Sequence, residues 1–577
     1  MKHLLKYLKP YRKEAFISPL FKFLEAIFDL LVPIVVKLII DVGIANKDMG
    51  YVGGMCGVLC GFAVVGLACA LVAQYFAAKA AVGFSTDLRR DLFAHVQGLS
   101  YTETDRAGTA TLITRLTSDV DRIQAAINLT LRLLLRSPII VLGAMIMAFT
   151  VNTTSAWVFV AVIPLLAVIV FSIMLKNIPL YKSVQKDLDS VTSITRENLN
   201  GARVIRAFCK EEEEIERFGK ANDAHNRAQN FVGRISALMN PLTLIVVDAG
   251  VIALLLSGAQ LVTIGDMTQG DVVAMTNYMA QILVELVKFA NTIFSINKAL
   301  ACGDRVQAVL AIPTGMPNVK TEHATINTLD SAVCFSHASL TYTTGADATL
   351  LDITLSIPKG ATVGVIGSTG SGKTSLVNLI PRFYDVTEGA VLVNGKDVRD
   401  YDTNELRSKI AVVPQKAVLF RGTVRSNLLW GNPHADDATL WKALELAQAK
   451  DFVLDCEEGL NMPVQQGGKN FSGGQRQRLT IARALVKGAE ILILDDSSSA
   501  LDYATDAALR AALKSLPHSP TVFLISQRTS SIRHADIILV LEDGRAVGVG
   551  THDELLHSCE VYREIHESQY HKGGETA

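Results

Sequence analysis

A glycine-rich run between an apolar strand pattern and a helical pattern carries the strongest chemical signal in this sequence. Glycines here let backbone N–H groups turn towards phosphate oxygens, and the helix that follows directs its positive end at them. The Lys373 ammonium can reach β- and γ-phosphates, and the Thr374 hydroxyl can bind Mg²⁺. The predicted nucleotide-binding residues are Gly367, Ser368, Thr369, Gly370, Ser371, Gly372, Lys373, Thr374 and Ser375.

Two neighbouring acids follow a second apolar run, "ILILDD". Asp495 is expected at the carboxyl end of a buried strand beside the phosphates, where a carboxylate holds Mg²⁺ through water. Asp496 comes next in the chain, in the place where a carboxylate can orient an attacking water. Gln527 follows another strand pattern, "TVFLIS". The sequence therefore predicts a magnesium-dependent site for hydrolysing a nucleotide.

A third motif, "NFSGGQRQRLTIARAL", opens a helix with Ser472, Gly473, Gly474 and Gln475. Such a helix start offers free N–H groups and a hydroxyl to an anion. The chain thus has two phosphate-binding helix ends, which one monomer does not easily bring to the same phosphate. A head-to-tail pair of domains would bring them together across an interface.

The elements that must position these motifs alternate between strand and helix patterns after residue 330. With the P-loop, this alternation predicts an α/β P-loop ATPase domain with a mixed sheet, largely parallel with an antiparallel portion at its start. A segment with two prolines and no apolar period separates it from the apolar half of the chain. The predicted divisions are a transmembrane domain at 1–312, a linker at 313–330, the ATPase domain at 331–570 and a tail at 571–577.

The first half of the chain predicts an α-helical membrane domain, because a span needs roughly 20 largely apolar residues. The six predicted spans are 17–44, 52–82, 129–151, 156–176, 238–264 and 271–299. Long charged connections follow the second and fourth spans, and with the basic N-terminus they are expected in the cytosol together with the ATPase domain. We expect an integral protein of a bacterial plasma membrane in contact with lipid. The net charge of −1 gives no reason to expect nucleic acid as a partner.

Charged residues within the predicted spans are costly in hydrocarbon and have two interpretations. They line a polar cavity that contacts cargo, or they pair with each other and sit near the interface. Pairing is favoured for Glu285 and Lys288, and an interfacial level is the alternative for Arg132 and Arg136. Asp248 is the better candidate for a cavity residue.

These motifs together resemble those of a half-transporter of the ABC exporter family, over essentially the whole chain. The resemblance implies ATP and Mg²⁺ as ligands, Tyr342 as the aromatic that stacks on adenine, and Gln415 as a residue that senses Mg²⁺ and the attacking water. It also implies a helical subdomain within the ATPase domain, and that the loop 499–502 acts across a dimer. Segments 108–120 and 195–208 match the coupling helices, the second of which would reach the opposite subunit.

The departures from the family pattern lie where chemistry is performed. Asp496 stands where the family has a glutamate, and Gln527 where it has a histidine. Gln466 aligns less securely with another family glutamate, and Phe471 replaces the commoner leucine. Withdrawing a carboxylate by about 1 Å costs on the order of a hundredfold in rate. We therefore expect a subunit of a heterodimeric multidrug-type exporter that holds ATP at a degenerate site and completes its partner's site with residues 472–475.

Two rival interpretations remain open at this stage. In the first, the chain forms a homodimer and hydrolyses ATP slowly through Asp496. In the second, it is an ATP-gated regulatory or channel-like subunit. The predicted spans exclude a soluble P-loop enzyme. The cargo is left open among amphipathic small molecules, lipids and peptides.

Overall fold

The structure, a computed structural model, describes residues 2–316, 330–342, 347–516 and 519–570. The chain divides into two compact units. The first is drawn from 1–98 and 107–313, and the second from 99–106 and 314–577. Most of the predicted linker 313–330, and the whole predicted tail 571–577, lie outside the described residues.

Long α-helices build the first unit. A 3-10 helix, Lys2–Tyr11, precedes them, and π-helical turns at Ile39–Ile44, Arg115–Asp119 and Thr130–Leu134 interrupt them. The helices are α1 (Arg12–Leu38), α2 (Met49–Gln97), α3 (Tyr101–Ala107), α4 (Thr109–Thr114), α5 (Val120–Leu129), α6 (Arg136–Val151), α7 (Thr153–Ala207), α8 (Glu211–Ala237), α9 (Met239–Ile264) and α10 (Gln269–Leu310). Helix α3 lies in the second unit except for its last residue.

Five helical stretches within the described residues are long and apolar enough to cross a membrane. They contain every predicted span except 17–44, which falls on α1 and the π-helical turn after it. Charged side chains interrupt α1 at Lys22, Glu25, Asp29 and Lys37, so it lacks the required apolar stretch. The structure therefore supports a helical membrane domain, while the count of six spans is not confirmed.

Small residues pack α2 into this unit. Ala73, Ala77, Ala80 and Ala81 are fully buried, at helical spacing, while large apolar residues on the same helix are exposed. The Ser18 hydroxyl of α1 donates to the Ala73 carbonyl oxygen at 2.9 Å, which places the two backbones close together. Small side chains permit this approach, and the outward apolar groups suit contact with lipid.

The described residues of the second unit form a four-stranded antiparallel sheet, a six-stranded sheet and a two-stranded ribbon. Their orders are β2-β1-β4-β5, β12-β11-β3-β10-β9-β6 and β7-β8. The strands are β1 (Ser331–Leu340), β2 (Leu350–Pro358), β3 (Thr362–Gly367), β4 (Glu388–Val393), β5 (Lys396–Asp397), β6 (Ile410–Val413), β7 (Gly422–Thr423), β8 (Pro463–Val464), β9 (Ile491–Asp495), β10 (Thr521–Ile525), β11 (Ile537–Glu542) and β12 (Arg545–Gly550).

Helices flank these sheets, and several of them share an apolar cluster with residues of β6, β9 and β10. They are α11 (Lys373–Leu379), α12 (Thr403–Ser408), α13 (Val424–Leu428), α14 (Asp437–Leu446), α15 (Lys450–Leu454), α16 (Gly473–Val486), α17 (Tyr503–Lys514), α18 (Thr529–Ile532), α19 (His552–Ser558) and α20 (Glu560–Tyr570). Helices α13 to α16 surround buried Leu428, Leu444 and Leu479, and thereby form the expected helical portion.

Candidate nucleotide-binding site

Four parallel strands end at one edge of the six-stranded sheet. Ile525 at the end of β10 is paired with Val365 of β3 on one side and with Asp495 of β9 on the other. Val413 at the end of β6 is paired with Leu494. The loops after these strands therefore meet, and they line one cleft of about 320 Å³.

Backbone geometry shapes the glycine-rich loop that follows β3. Gly370 and Gly372 have φ angles of 89° and 95°, in the left-handed region that favours glycine. A Cβ on Gly372 would also lie 2.8 Å from the Thr349 carbonyl oxygen, so a side chain is excluded by contact as well as by conformation. Helix α11 begins directly after this turn, and its free N–H groups are available to an anion.

The Lys373 ammonium folds back over the loop. Its Nζ donates to the carbonyl oxygens of Gly367 at 2.9 Å and Ser368 at 2.6 Å. Burial lowers the pKa of Lys373, while the nearby carboxylates of Asp495 and Asp496 act in the opposite direction. A cation held beside two acids and a phosphate-binding turn suits contact with a polyphosphate.

Oxygen donors of the kind that Mg²⁺ prefers meet beside Lys373. The Thr374 hydroxyl donates to Asp495 Oδ1 at 3.1 Å, and only 5% of Asp495 is exposed. Burial and then the Asp496 charge raise the pKa of Asp495, so a cation would favour its ionised form. Among the described residues no three His, Cys, Asp or Glu side chains cluster as a metal site. The set fits Mg²⁺, which uses few protein ligands and takes the others from phosphate and water.

Asp496 has an unusual backbone conformation. Its φ of 45° lies in the left-handed region, where aspartate is among the commoner non-glycine residues. Its N–H donates to the Ile525 carbonyl oxygen at 3.0 Å, and the Ser499 hydroxyl donates to its carbonyl oxygen at 2.8 Å. Gln415 Nε2 lies 3.5 Å from Asp496 Oδ2, at the limit of a hydrogen bond. Burial raises the pKa of the Asp496 carboxyl, against the effects of Gln415, Lys373 and Arg528.

Gln527 also lines the cleft, and the last helix fixes its backbone. Gln569 of α20 donates through Nε2 to the Gln527 carbonyl oxygen at 2.7 Å. The Gln569 side-chain oxygen in turn accepts hydrogen bonds from the N–H and hydroxyl of Thr529. Sequence reasoning missed Gln569, because no local pattern marks a contact with a loop so far away along the chain.

Tyr342 lies beside the same loop. Its hydroxyl donates to the Ser375 hydroxyl oxygen at 2.8 Å, and its ring meets the Tyr384 ring edge-on at 4.9 Å between centroids. Burial raises the pKa of Tyr342. Its exposed ring is placed next to the start of α11, where an aromatic surface could face a base bound through its phosphates.

Residues 472–475 are not brought together with the glycine-rich loop within this chain. The Ser472 hydroxyl accepts from the Gln475 N–H at 3.2 Å, and Gln475 Oε1 accepts from the Ser472 N–H at 2.9 Å. These bonds form a capping box at the start of α16. None of the four residues belongs to the described lining of the cleft. Around Gly473, apart from its chain neighbours, no described atom lies within 4 Å of an added Cβ.

The predicted coupling segment 108–120 and the segment just before it fall in different units. The segment that joins the second unit is 99–106, whereas 108–120 belongs to the first. Tyr101 packs on Phe383 with centroids 4.5 Å apart, and the Tyr384 hydroxyl donates to Asp105 at 2.7 Å. Aromatic contacts of α3 thus determine the position of this segment. The other predicted segment, 195–208, lies in the first unit.

Comparisons with known proteins agree with this fold and site. The family model of the ABC transporter transmembrane region matches residues 15–286, and the ABC transporter model matches residues 350–499. The fold and cleft define a P-loop nucleotide-binding protein whose ATPase unit is fused to a membrane domain. The chain belongs to the ABC transporter family.

Individual relatives match nearly the full chain. An uncharacterized ABC transporter ATP-binding protein of Mycobacterium tuberculosis is 37% identical over 98% of this chain and 97% of its own length. The ATP-dependent lipid A-core flippase of Desulfotalea psychrophila is 32% identical over 84% of each protein. The fold is also that of a bacterial Atm1-family ABC exporter with ATP bound, with a TM-score of 0.80, 21% identity, and coverage of 98% of this chain and 99% of the other.

The substitution Asp496→Asn is expected to stabilise the nucleotide-free protein at pH 7.5. The pKa of Asp496 is raised above 3.8 in the folded state, so ionisation at pH 7.5 costs folding free energy. Removing this cost is expected to raise the midpoint of thermal unfolding. The advantage should shrink as pH falls towards 3.8, where the wild-type carboxyl becomes protonated. Thermal unfolding at several pH values measures the change in the unfolding midpoint, with the exposed Asp455→Asn as control. Equal midpoint shifts in both variants would contradict the prediction.

Tyr384→Phe is expected to loosen α3, because the hydroxyl that donates to Asp105 is lost. A hydrogen bond to a carboxylate contributes about 1.5–3 kcal/mol. Amide exchange in residues 99–107 should therefore accelerate by roughly tenfold or more, measured by hydrogen–deuterium exchange. Tyr401→Phe is the matched control, since that hydroxyl donates to the Val393 carbonyl oxygen elsewhere in the unit. Unchanged exchange in Tyr384→Phe would show that the aromatic packing alone holds α3.

Proposed function

We propose that this chain is one subunit of an ATP-driven exporter, holds ATP at a degenerate site of its own, and completes the hydrolytic site of a different partner chain. The observation that carries the ATP-driven part is the meeting of Lys373, Thr374 and Asp495 at one sheet edge. This edge belongs to a chain whose other unit has, among the described residues, five helical stretches long and apolar enough to cross a membrane.

ATP would lie with its phosphates on the glycine-rich loop and its base against Tyr342. Lys373 would exchange its bonds to two carbonyl oxygens for phosphate oxygens, which are stronger acceptors. Thr374, Asp495 and Gln415 are the residues that would hold Mg²⁺, directly or through water. When bound, Mg²⁺ neutralises the negative charge that develops on the phosphate oxygens.

Hydrolysis at this site is proposed to be slow because both groups that would act on water are weak. The Asp496 side chain is one methylene shorter than glutamate, and the Gln415 amide reaches it only at 3.5 Å. A withdrawal of about 1 Å removes on the order of a hundredfold in rate. Gln527 offers a neutral amide, which can hydrogen-bond but carries no charge.

Residues 472–475 are proposed to act on ATP held by the partner. Their helix start is already satisfied at Ser472 and Gln475 by the capping box, while Gly473 is open to an approaching group. The N–H groups of the first turn remain directed outwards, where they favour an anion. The start of α16 would therefore bind a phosphate of ATP that is held by another chain.

The membrane domain is proposed to have six spans, with α1 as the first. Every charge that interrupts α1 has a partner: Lys22 pairs with Glu25 at 2.6 Å, and Lys37 with Asp271 at 2.5 Å. Asp29 accepts from Arg136 at 2.6 Å. Pairing lowers the cost of burial in a membrane, so these charges are compatible with a span. The N-terminus and ATPase unit would then face the cytosol of a bacterial cell.

Export of amphipathic small molecules, lipids or peptides is the proposed transport activity. It is supported by the relative named as a lipid A-core flippase and by the fold of the Atm1-family exporter. Coupling would run through α3, which contacts Phe383 and Tyr384, and through residues 195–208 against the partner. Leu199, Val204 and Phe208 are exposed in this chain, as a contact with another subunit requires.

Lys373→Ala and Ser472→Arg are expected to affect the assembled transporter unequally. Loss of Lys373 impairs only the slow site, so most ATP turnover should remain. Ser472→Arg places a bulky cation in the partner's hydrolytic site and should lower turnover by about a hundredfold or more. Phosphate release by the purified complex measures both. Lys442→Ala and Ser558→Arg, at exposed positions, are the matched controls.

Equal losses from Lys373→Ala and Ser472→Arg would contradict the asymmetric assignment. They would instead favour a homodimer in which each chain hydrolyses ATP through Asp496. The raised pKa of Asp496 is the observation that supports this second candidate, because it moves the carboxylate towards the basicity that a general base needs. Robust turnover by the lone chain, abolished in Asp496→Asn, would establish it.

Asp496→Glu combined with Gln527→His is expected to raise ATP turnover at the chain's own site. The longer carboxylate recovers about 1 Å of reach, and the imidazole can carry charge near the γ-phosphate. We expect a gain of about tenfold or more over the wild-type chain, measured in a complex whose other site is blocked by Ser472→Arg. Asp455→Glu controls for the added methylene. A turnover equal to or below that of the blocked parent would contradict the assignment.

A further inference from the structure

A cavity of about 480 Å³ opens among α1, α6 and α10 in the first unit. Part of its wall is apolar, with Val32, Ile140 and Val284. Polar residues also line the cavity, including charged side chains from three different helices. Charged side chains inside a membrane domain are costly to maintain and usually mark a ligand path.

The four charged side chains of the lining form a row of alternating sign. Asp29 Oδ2 lies 2.6 Å from Arg136 Nη2, and Arg136 Nη1 lies 2.7 Å from Glu285 Oε1. The same Glu285 oxygen lies 3.0 Å from Lys288 Nζ. The order from α1 to α10 is therefore negative, positive, negative, positive, with no net charge.

The inner and outer members of this row differ in exposure. The side chains of Arg136 and Glu285 are only 12% and 5% exposed, whereas those of Asp29 and Lys288 are 43% and 44% exposed. Ser137 also donates to Glu285 Oε2 at 2.8 Å, so the inner pair is closely satisfied. Removing either inner partner would leave a buried charge, which is strongly destabilising. The inner pair thus has a structural task that the outer pair does not share.

The exposed ends of the row present opposite charges to the same cavity. Three contacts and one guanidinium group separate them, so the Asp29 oxygen and the Lys288 nitrogen are no more than about 11 Å apart. Asn277, which is exposed, adds a neutral amide to the lining. A lone cation would be attracted by Asp29 and repelled by Lys288, and a lone anion would meet the reverse.

We propose that this cavity binds a zwitterionic amphiphile, with its cationic group on Asp29, its anionic group on Lys288 and its apolar chain along Val32, Ile140 and Val284. The inference rests on the proposed export function, because it names the class of molecule that this membrane domain carries. The two charged ends select the head group, and the apolar wall contributes affinity without selecting charge.

The test uses the assembled transporter in lipid nanodiscs without ATP. Three tritiated probes with the same twelve-carbon chain are compared: a sulfobetaine, a trimethylammonium salt and a sulfate. The wild type should bind the sulfobetaine about five- to tenfold more tightly than either singly charged probe, as expected when one further half-exposed ion pair forms. Equal affinity for all three probes would overturn the proposal.

Two variants assign the ends. Asp29→Asn should lose the preference for the sulfobetaine over the sulfate, because only the positive end remains. Lys288→Gln should lose the preference over the trimethylammonium probe instead. Asp266→Asn and Lys298→Gln, at exposed positions of the same unit, are the matched controls and should retain the wild-type order.

A purely structural role for Asp29 and Lys288 predicts a different result, in which both variants weaken binding of all three probes equally. That result would also overturn the proposal. Asp29→Glu and Lys288→Arg keep the charges and should keep the selectivity among the three probes. If Asp29→Asn or Lys288→Gln fails to fold, the conservative variants still test the proposal. Because binding is measured without ATP, selective binding by a protein with no transport activity would refute the export function and leave the ligand assignment intact.

Discussion

The parallel register of three strands is the constraint on which the ATPase unit depends. Pairing of Ile525 with both Val365 and Asp495 brings three loops to one edge of the sheet. A shift of one residue would turn the Asp495 side chain to the opposite face of β9. The Thr374 hydroxyl would then lose its contact with Asp495, and the loop after β3 would have no acid beside it.

Buried charged side chains in both units are stabilised by neighbouring polar or charged groups. In the cleft, Asp495 has the Thr374 hydroxyl and the nearby Lys373. In the membrane domain, Glu285 has Arg136, Lys288 and Ser137. The cost of an ion in a poorly solvated site explains both arrangements, since an unpaired charge would be neutralised or would destabilise the fold. The two sites differ in one respect. The cleft can receive further negative charge from phosphate, whereas the four charged side chains in the membrane domain already sum to zero.

Much of the site was predictable because its signals are local in sequence. The glycine-rich loop and Asp495 each follow an apolar strand, so their meeting follows from the rule that parallel strands end at one edge. The position of α3 was not predictable in this way, since Tyr101 is placed by Phe383, a contact distant in sequence. Gln569 escaped notice for the same reason. For α1, apolar content predicted a span, but Asp29 and Lys37 have partners on other helices, Arg136 and Asp271, that sequence windows do not reveal.

The hydrogen bond from Gln569 to the Gln527 carbonyl oxygen has a consequence for biosynthesis. The phosphate-binding turn is synthesised early in the second unit. Gln569 lies in α20, the last helix among the described residues, and is synthesised much later. A nascent chain can therefore acquire the turn, the magnesium-binding acid and most of the sheet while the Gln527 loop still lacks its anchor. The hydrogen bond that anchors the Gln527 backbone can therefore form only after α20 has been translated.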